Sequence, residues 1–266
     1  HYPTDYNVFA LVRIEDENCR FKDKVLRKRV EDRIQKPFIA TAEDDLIIYT
    51  IFDLEQFLGR EISWVSGITF EEVIKSKDGW LPNKLHRYCT TWLKLTPIFY
   101  WWAELISTPA IFNLGYRASE KRRVLKMNER LNSNGLTEMK ATFNKLTDGR
   151  NKWESIEWQK PNFPLYNDGI YKDAIENYWK NQTVRFAELN NCTGCFHRNP
   201  LLLKKQFEVH PDKMNWFEMQ EGVNQLGKQK GFWRSDVSYK KIRESNLQFE
   251  ISFDDFSECD SGYCGL

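Results

Sequence analysis

Val8-Phe9-Ala10-Leu11-Val12-Arg13-Ile14 is the stretch on which the fold turns. All but Arg13 are apolar and they do not alternate, the pattern of a strand buried on both faces of a parallel sheet. Glu15-Asp16-Glu17-Asn18 follows as an acidic turn placed to cap a helix. Over 20–34, Phe21, Val25, Leu26, Val30 and Ile34 recur at helical spacing with basic residues between them. Residues 45–58 read as a second helix and 61–67 as a short strand. A helix over 84–106 is interrupted by Pro97, which predicts a kink or boundary near Thr96 because proline lacks the donor and clashes with the preceding turn. Residues 110–114 form a further strand closed by Gly115. This strand–helix alternation predicts an α/β fold, a parallel sheet with helices on both faces. Residues 122–149 read as polar and helical or irregular, Glu154 to Trp158 alternates as a strand does, and 171–179 reads as helical.

The chain of 266 residues is 41% hydrophobic and 15% aromatic, enough for a large packed core, and its formal net charge is +1. So small an excess argues against a chain that coats nucleic acid over its whole surface, though not against a local basic site. No apolar run reaches the length of a membrane span; the longest, 98–106, contains Glu104. With no charged-then-apolar leader, and four of six cysteines gathered toward the C-terminal end, the expected setting is cytoplasmic and reducing.

Three groups of residues can carry chemistry. Arg87 and Lys94 stand seven apart, about two helical turns, with Thr90 and Thr91 between them near a helix start, a candidate cradle for phosphate or sulfate. Gly115, Arg117, Glu120 and Arg123 lie just past a strand end, where open α/β sheets bind ligands. There the arginines offer bidentate donors to phosphate, and Glu120 is placed to orient one of them. For both groups the alternative is a solvated charged surface. Cys192-Thr193-Gly194-Cys195 and Cys259-Asp260-Ser261-Gly262-Tyr263-Cys264 supply two close thiol pairs. These suit a four-thiolate zinc site or an iron–sulfur cluster, with Gly194 and Gly262 permitting tight turns. The competing reading is a redox CxxC beside an unrelated pair. Cys19 and Cys89 read as ordinary buried thiols. His86, His197 and His210 show neither metal spacing nor a clear carboxylate partner. Trp92, Trp101, Trp102, Trp153 and Trp158 read mainly as core, with stacking surfaces among them as the alternative.

The order of these groups resembles the phosphoadenosine-phosphosulfate (PAPS) reductase-like branch of the adenine-nucleotide α-hydrolase superfamily. The resemblance rests on Arg87-x-Cys89-Thr90-x-x-Leu93-Lys94, then Gly115-x-Arg117-x-x-Glu120-x-x-Arg123, then Phe163-Pro164-Leu165-Tyr166-x-Asp168, then Cys192-x-Gly194-Cys195 and Cys259-x-Ser261-Gly262-x-Cys264. It runs from Val8 to Cys264. It implies a nucleotide-binding domain over 1–180 of the HUP type and a C-terminal four-cysteine subdomain over 181–266 with helices and loops. It implies binding of ATP or PAPS with Mg²⁺, Arg87, Thr90, Lys94, Gly115, Arg117, Glu120 and Arg123 gripping the phosphates or sulfate, and Lys94 and Arg117 acting on the reacting group. Cys192, Cys195, Cys259 and Cys264 would hold zinc or, alternatively, a 4Fe–4S cluster. The implied activity is a reductase, or an ATP pyrophosphatase or transferase acting at the α-phosphate in sulfur or adenylyl transfer. The alternatives are a non-catalytic zinc-stabilised module and a nucleic-acid modification factor with nucleic acid as acceptor. Family members open with a strand ending in a Ser-Gly-Gly-x-Asp-Ser loop that wraps the phosphates. Since 8–16 matches their second strand, the first strand and loop are expected to precede His1. The reductase tail Glu-Cys-Gly-x-His has no counterpart in Tyr263-Cys264-Gly265-Leu266.

Overall fold

The computed structural model describes residues 2–223 and 229–245. The fold is mixed α/β and divides into two compact units. One is built from Phe99–Gln182 with the first four residues; the other, larger one joins Asp5–Ile98 to the chain from Thr183 on. The chain passes between the units after Ile98 as well as after Gln182, and the segment carrying Cys192 and Cys195 belongs with Asp5–Ile98.

In the larger unit the opening run forms a strand only over Val8–Ala10, which pairs in parallel with Ser63–Val65. It then bends, and Arg13–Ile14 pairs antiparallel with Ala40–Thr41. Arg13 explains why a charged residue sits in that apolar run. Its buried guanidinium donates to Ser66 Oγ at 2.9 Å, Pro37 O at 3.0 Å and Gly67 O at 2.8 Å, stitching the bend to the end of the neighbouring strand. The acidic turn caps only a short 3₁₀ segment, Glu17–Cys19, through Asp16; the helix proper is Lys24–Ile34, capped by Asp23, whose carboxylate accepts from Val25 N and Leu26 N. The second helix, Leu46–Leu58, ends on Gly59 in the left-handed conformation (φ 63°).

Two apolar clusters fill this unit. Leu11, Phe21, Val30, Phe38, Ile48 and Trp64 form one. The other draws Val12, Phe70 and Leu93 together with Phe217, Trp233 and Tyr239, from chain segments far apart in sequence. Fully burying one large apolar side chain stabilises by about 1.5–3 kcal/mol, so this second cluster is the main tie between the two halves of the unit's sequence.

The expected helix over 84–106 is segmented. Tyr88–Thr90 is a short α-helical turn, Thr91–Leu95 is π-helical, and Thr96–Leu105 is α-helical. The change falls at Thr96, where Pro97 cannot donate to the Leu93 carbonyl. Gly67 lies against the π segment: a Cβ there would stand 3.1 Å from Trp92 O.

In the smaller unit, Ala110–Asn113 pairs in parallel with Asn151–Asn162, which pairs antiparallel with Thr137–Lys145. The stretch expected to be polar and helical or irregular contains the helix Lys121–Asn128, in keeping with that reading, and a nine-residue strand, which is not. Met139, Ala141 and Phe143 alternate there, a period-two signal hidden by polar neighbours. The core of this unit is aromatic. Phe99, Trp102 and Trp158 are buried, with ring centroids 5.4–5.9 Å apart. Tyr2 reaches this unit by donating to Asp168 Oδ1 at 2.9 Å. No described helix is long and apolar enough to cross a membrane.

Candidate functional site

Lys94 leaves the π segment half-buried and donates to Glu43 Oε1 at 2.8 Å. Glu43 is almost wholly buried. Its backbone N–H donates to Thr41 Oγ1 at 3.1 Å, its carbonyl accepts from Lys213 Nζ, and it bridges to Cys192 across a single antiparallel pair. Burial works against the Lys94 charge, but Glu43 and the neighbouring Cys192 outweigh it and hold the ammonium above its ordinary pKa. The Glu43 Oε2 atom is buried with no hydrogen-bond partner among the described residues. Glu43 was not legible as a site residue, because Glu43-Asp44-Asp45 before an apolar helix reads as a cap. Asp44 does fill that role, accepting from Leu46 N at 2.9 Å.

The Cys192–Cys195 turn is fixed from several sides. Cys195 N donates to Cys192 O at 3.1 Å, Thr193 N to Ala42 O at 2.9 Å, and the Tyr239 hydroxyl to Gly194 O at 2.9 Å. The Arg198 guanidinium donates to the Asn190 and Cys192 carbonyls. The left-handed residue is Asn191 (φ 67°) and not Gly194. Gly194 is glycine for another reason: a Cβ would lie 2.4 Å from the Phe217 ring.

Arg87, Thr90 and Lys94 border one cavity together with Cys89, Cys192 and Cys195, and its remaining wall includes Phe70, Phe217 and Trp233. Two of the sequence groups, the first cation group and the CxxC turn, therefore meet. Cys89 joins them, although it reads from sequence as an ordinary thiol; its place one residue before Thr90 was the available signal. Burial and the nearby Cys195 push the Cys89 thiol up to about 11, with Arg87 opposing. Burial, with Glu43, raises Cys192 well above the usual thiol value against the pull of Lys94. His197 also lines the cavity, and burial together with Arg87, Lys84 and Arg234 lowers its pKa to about 4, so it is neutral at pH 7. His210, which lacked an evident acidic partner, has one: its Nε2 lies 3.3 Å from Asp44 Oδ2.

The cavity holds about 60 Å³. Sites for small molecules span roughly 300–1,000 Å³, so this space fits a terminal anionic group or a thiol-bound metal and not a nucleoside. Cys192 and Cys195 offer soft donors on one turn, the chemistry that thiophilic metals need. Yet among the described residues no three His, Cys, Asp or Glu side chains are grouped to hold a metal ion. Cys259 and Cys264 lie outside the described residues, and the described thiols alone do not complete a four-thiolate set.

The second cation group lies in the smaller unit. Arg117 donates to Glu120 Oε2 from its backbone N–H at 2.8 Å and from Nε at 3.1 Å, and Arg123 donates to Glu120 Oε1. One carboxylate thus orients both arginines. Burial would raise the Glu120 pKa, but the Arg117 and Arg123 hydrogen bonds outweigh it and leave it below the ordinary value. Arg123 also lies 4.1 Å above the Tyr116 ring, which stacks on Phe163 at 5.4 Å. Gly115 precedes this cluster and is exposed. Lys94 and Arg117 belong to different units. Comparison with protein-family models, with curated proteins and with solved structures found no match.

Proposed function

We propose that the chain is an adenine-nucleotide enzyme of the PAPS reductase-like kind, binding ATP or PAPS and acting at the α-phosphate or sulfate. The observation that carries this reading is the meeting of Arg87, Thr90 and Lys94 with three thiols at one small cavity. Such a cavity suits the anionic end of the ligand. Lys94, fixed by Glu43, supplies a positioned positive charge, Thr90 a hydroxyl donor and Arg87 a planar donor set. Transfer at a phosphate or sulfate needs mainly positioning and charge stabilisation, which pre-oriented cations in a partly apolar pocket provide. The parallel pairing of Val8–Ala10 with Ser63–Val65 is in keeping with a sheet of the adenine-nucleotide α-hydrolase type, although the chain between them also forms the antiparallel pair Arg13–Ile14 with Ala40–Thr41 besides two helices. Mg²⁺ would accompany the nucleotide. Cys192 and Cys195, with Cys259 and Cys264, would hold zinc or an iron–sulfur cluster; either would fix the turn that walls the cavity.

The test is calorimetric titration with Mg-ATP and with PAPS. Replacing Lys94 alone would strand the buried Glu43 carboxylate, a loss of about 3–5 kcal/mol, so the variant is Lys94→Met with Glu43→Gln. The reading expects measurable binding of one nucleotide and at least a tenfold weakening in the double variant. Failure of both nucleotides to bind, or unchanged affinity in the variant, overturns it. Arg117→Ala, measured separately, reports whether the second cation group takes part. For the metal, the expected result is one zinc or one cluster per chain, lost on Cys192→Ser with Cys195→Ser; unchanged metal content would reject the assignment.

A further inference from the structure

Arg198 is 3% exposed and is fixed against the Cys192–Cys195 turn that it follows. Its backbone N–H donates to Cys195 O at 3.0 Å, and its carbonyl accepts from Arg234 Nη1 at 2.7 Å. The guanidinium donates from Nε and Nη2 to Cys192 O at 3.4 and 3.3 Å, and from Nη2 to Asn190 O. All of these acceptors are neutral carbonyls. Nη1 is buried without an acceptor, and no carboxylate among the described residues pairs with the charge. The other described buried Lys and Arg side chains are provided for. Lys213 pairs with Asp45 at 2.6 Å, Arg234 with Asp236 at 2.5 Å, and Arg13 has an acceptor at each of Nε, Nη1 and Nη2.

Taking a guanidinium out of water without a counter-charge is costly, so this arrangement calls for an anion. A carboxylate matches the planar donor fork. Arg198 does not border the cavity of Arg87 and Lys94, so an anion held there does not meet the need. Residues 246–266, outside the described residues, carry five Asp and Glu and no Lys or Arg, leaving 39 basic against 33 acidic residues over 1–245. Two of the five, Glu258 and Asp260, flank Cys259. The four-thiolate reading, on which this step rests, brings Cys259 to the Cys192–Cys195 turn. The path allows it: the helix Tyr239–Glu244 begins against that turn, the Tyr239 hydroxyl donating to Gly194 O at 2.9 Å. The 14 residues from 246 to 259 reach up to about 46 Å when extended, several times the roughly 9 Å length of that helix.

We propose that the acids flanking Cys259, Glu258 and Asp260, supply the counter-charge of Arg198, so that this guanidinium docks the second thiol pair beside the first. Arg198 is then a positioning residue: it acts on the thiolate site by holding the segment that completes it.

A double-mutant cycle in the full chain tests it, comparing wild type, Arg198→Gln, Glu258→Gln with Asp260→Asn, and all three changes together. One readout is amide hydrogen exchange over 246–266; the other is zinc release to a chromophoric chelator. Arg198→Gln and the acid variant should each speed both by about tenfold, and combining them should add less than about twofold. A purely structural role for Arg198, through the Asn190 and Cys192 carbonyls, would instead give losses that multiply. Arg198→Lys keeps the charge without the fork and should recover part of the loss; it replaces Arg198→Gln in the cycle if that variant does not fold. Multiplying losses, or an acid variant that behaves as wild type, overturn the proposal; the second result with Arg198→Gln still impaired assigns the charge to another anion. A wild type without metal but with coupled exchange would reject the four-thiolate reading and uphold the contact. Bound metal with multiplying losses would reject the contact alone.

Discussion

Gly194 shows how a single side chain is excluded by a neighbour. A methyl group would lie 2.4 Å from the Phe217 ring, which is itself buried among Phe70, Trp216 and Trp233 and has little room to move. Gly194→Ala should destabilise by about 1–3 kcal/mol, read as a lower urea midpoint at unchanged m-value. The Cys-x-Gly-Cys spacing made this glycine conspicuous, but its purpose was not legible: the turn's positive φ is at Asn191, and the clash comes from a residue far along the chain. Glu221 offers a pH-dependent counterpart. Its carboxylate accepts from Trp233 N and Tyr239 N, yet burial raises its pKa to about 7 from about 4.5. The folded chain therefore keeps this proton where the unfolded chain has lost it. The associated stability is intact below about pH 4.5 and declines as pH rises through about 7. Thermal midpoints between pH 5 and pH 8 should fall more for the wild type than for Glu221→Gln; parallel curves would show that the proton is not retained.

Elements were legible where local chemistry marks their ends. Pro97 located the break that the structure places at Thr96, and Gly59 closes Leu46–Leu58. The helix Phe70–Lys75 is not among the elements read from the sequence, although Thr69-x-x-Glu72 marks its start with a reciprocal cap: Thr69 Oγ1 accepts from Glu72 N at 3.3 Å and Glu72 Oε2 accepts from Thr69 N at 2.7 Å. Thr69→Ala should cost about 1 kcal/mol, measured as a shift of the denaturation midpoint, and no shift would mean the cap is redundant. Because Phe70, Val73 and Ile74 point from this helix into the larger core, loosening its first turn is felt there. The π segment was not legible. Its extra residue per turn depends on the missing Pro97 donor and on Gly67 lying against Trp92 O, and only the first of these is visible in sequence.

At the scale of the molecule, the sequence marked out the thiol and cation groups but not their grouping. Arg87, Lys94 and the CxxC turn meet because Phe70 and Leu93 pack with Phe217, Trp233 and Tyr239, a pairing no local pattern announces. A chain ending at Gln182 should therefore fail to form the larger unit, keeping only the smaller unit's unfolding transition and exposing dye-binding apolar surface; a dye-silent product with a second transition would show that Asp5–Ile98 folds alone. The same arrangement dictates an order of events on the ribosome. Phe99–Gln182 emerges between the two stretches that build the larger core, so the apolar faces of Val12, Phe70 and Leu93 must wait until Tyr239 has been made. At about 5–20 residues per second that wait is roughly 7–30 s, during which the segment of the smaller unit is complete while these apolar faces of its host still lack their partners.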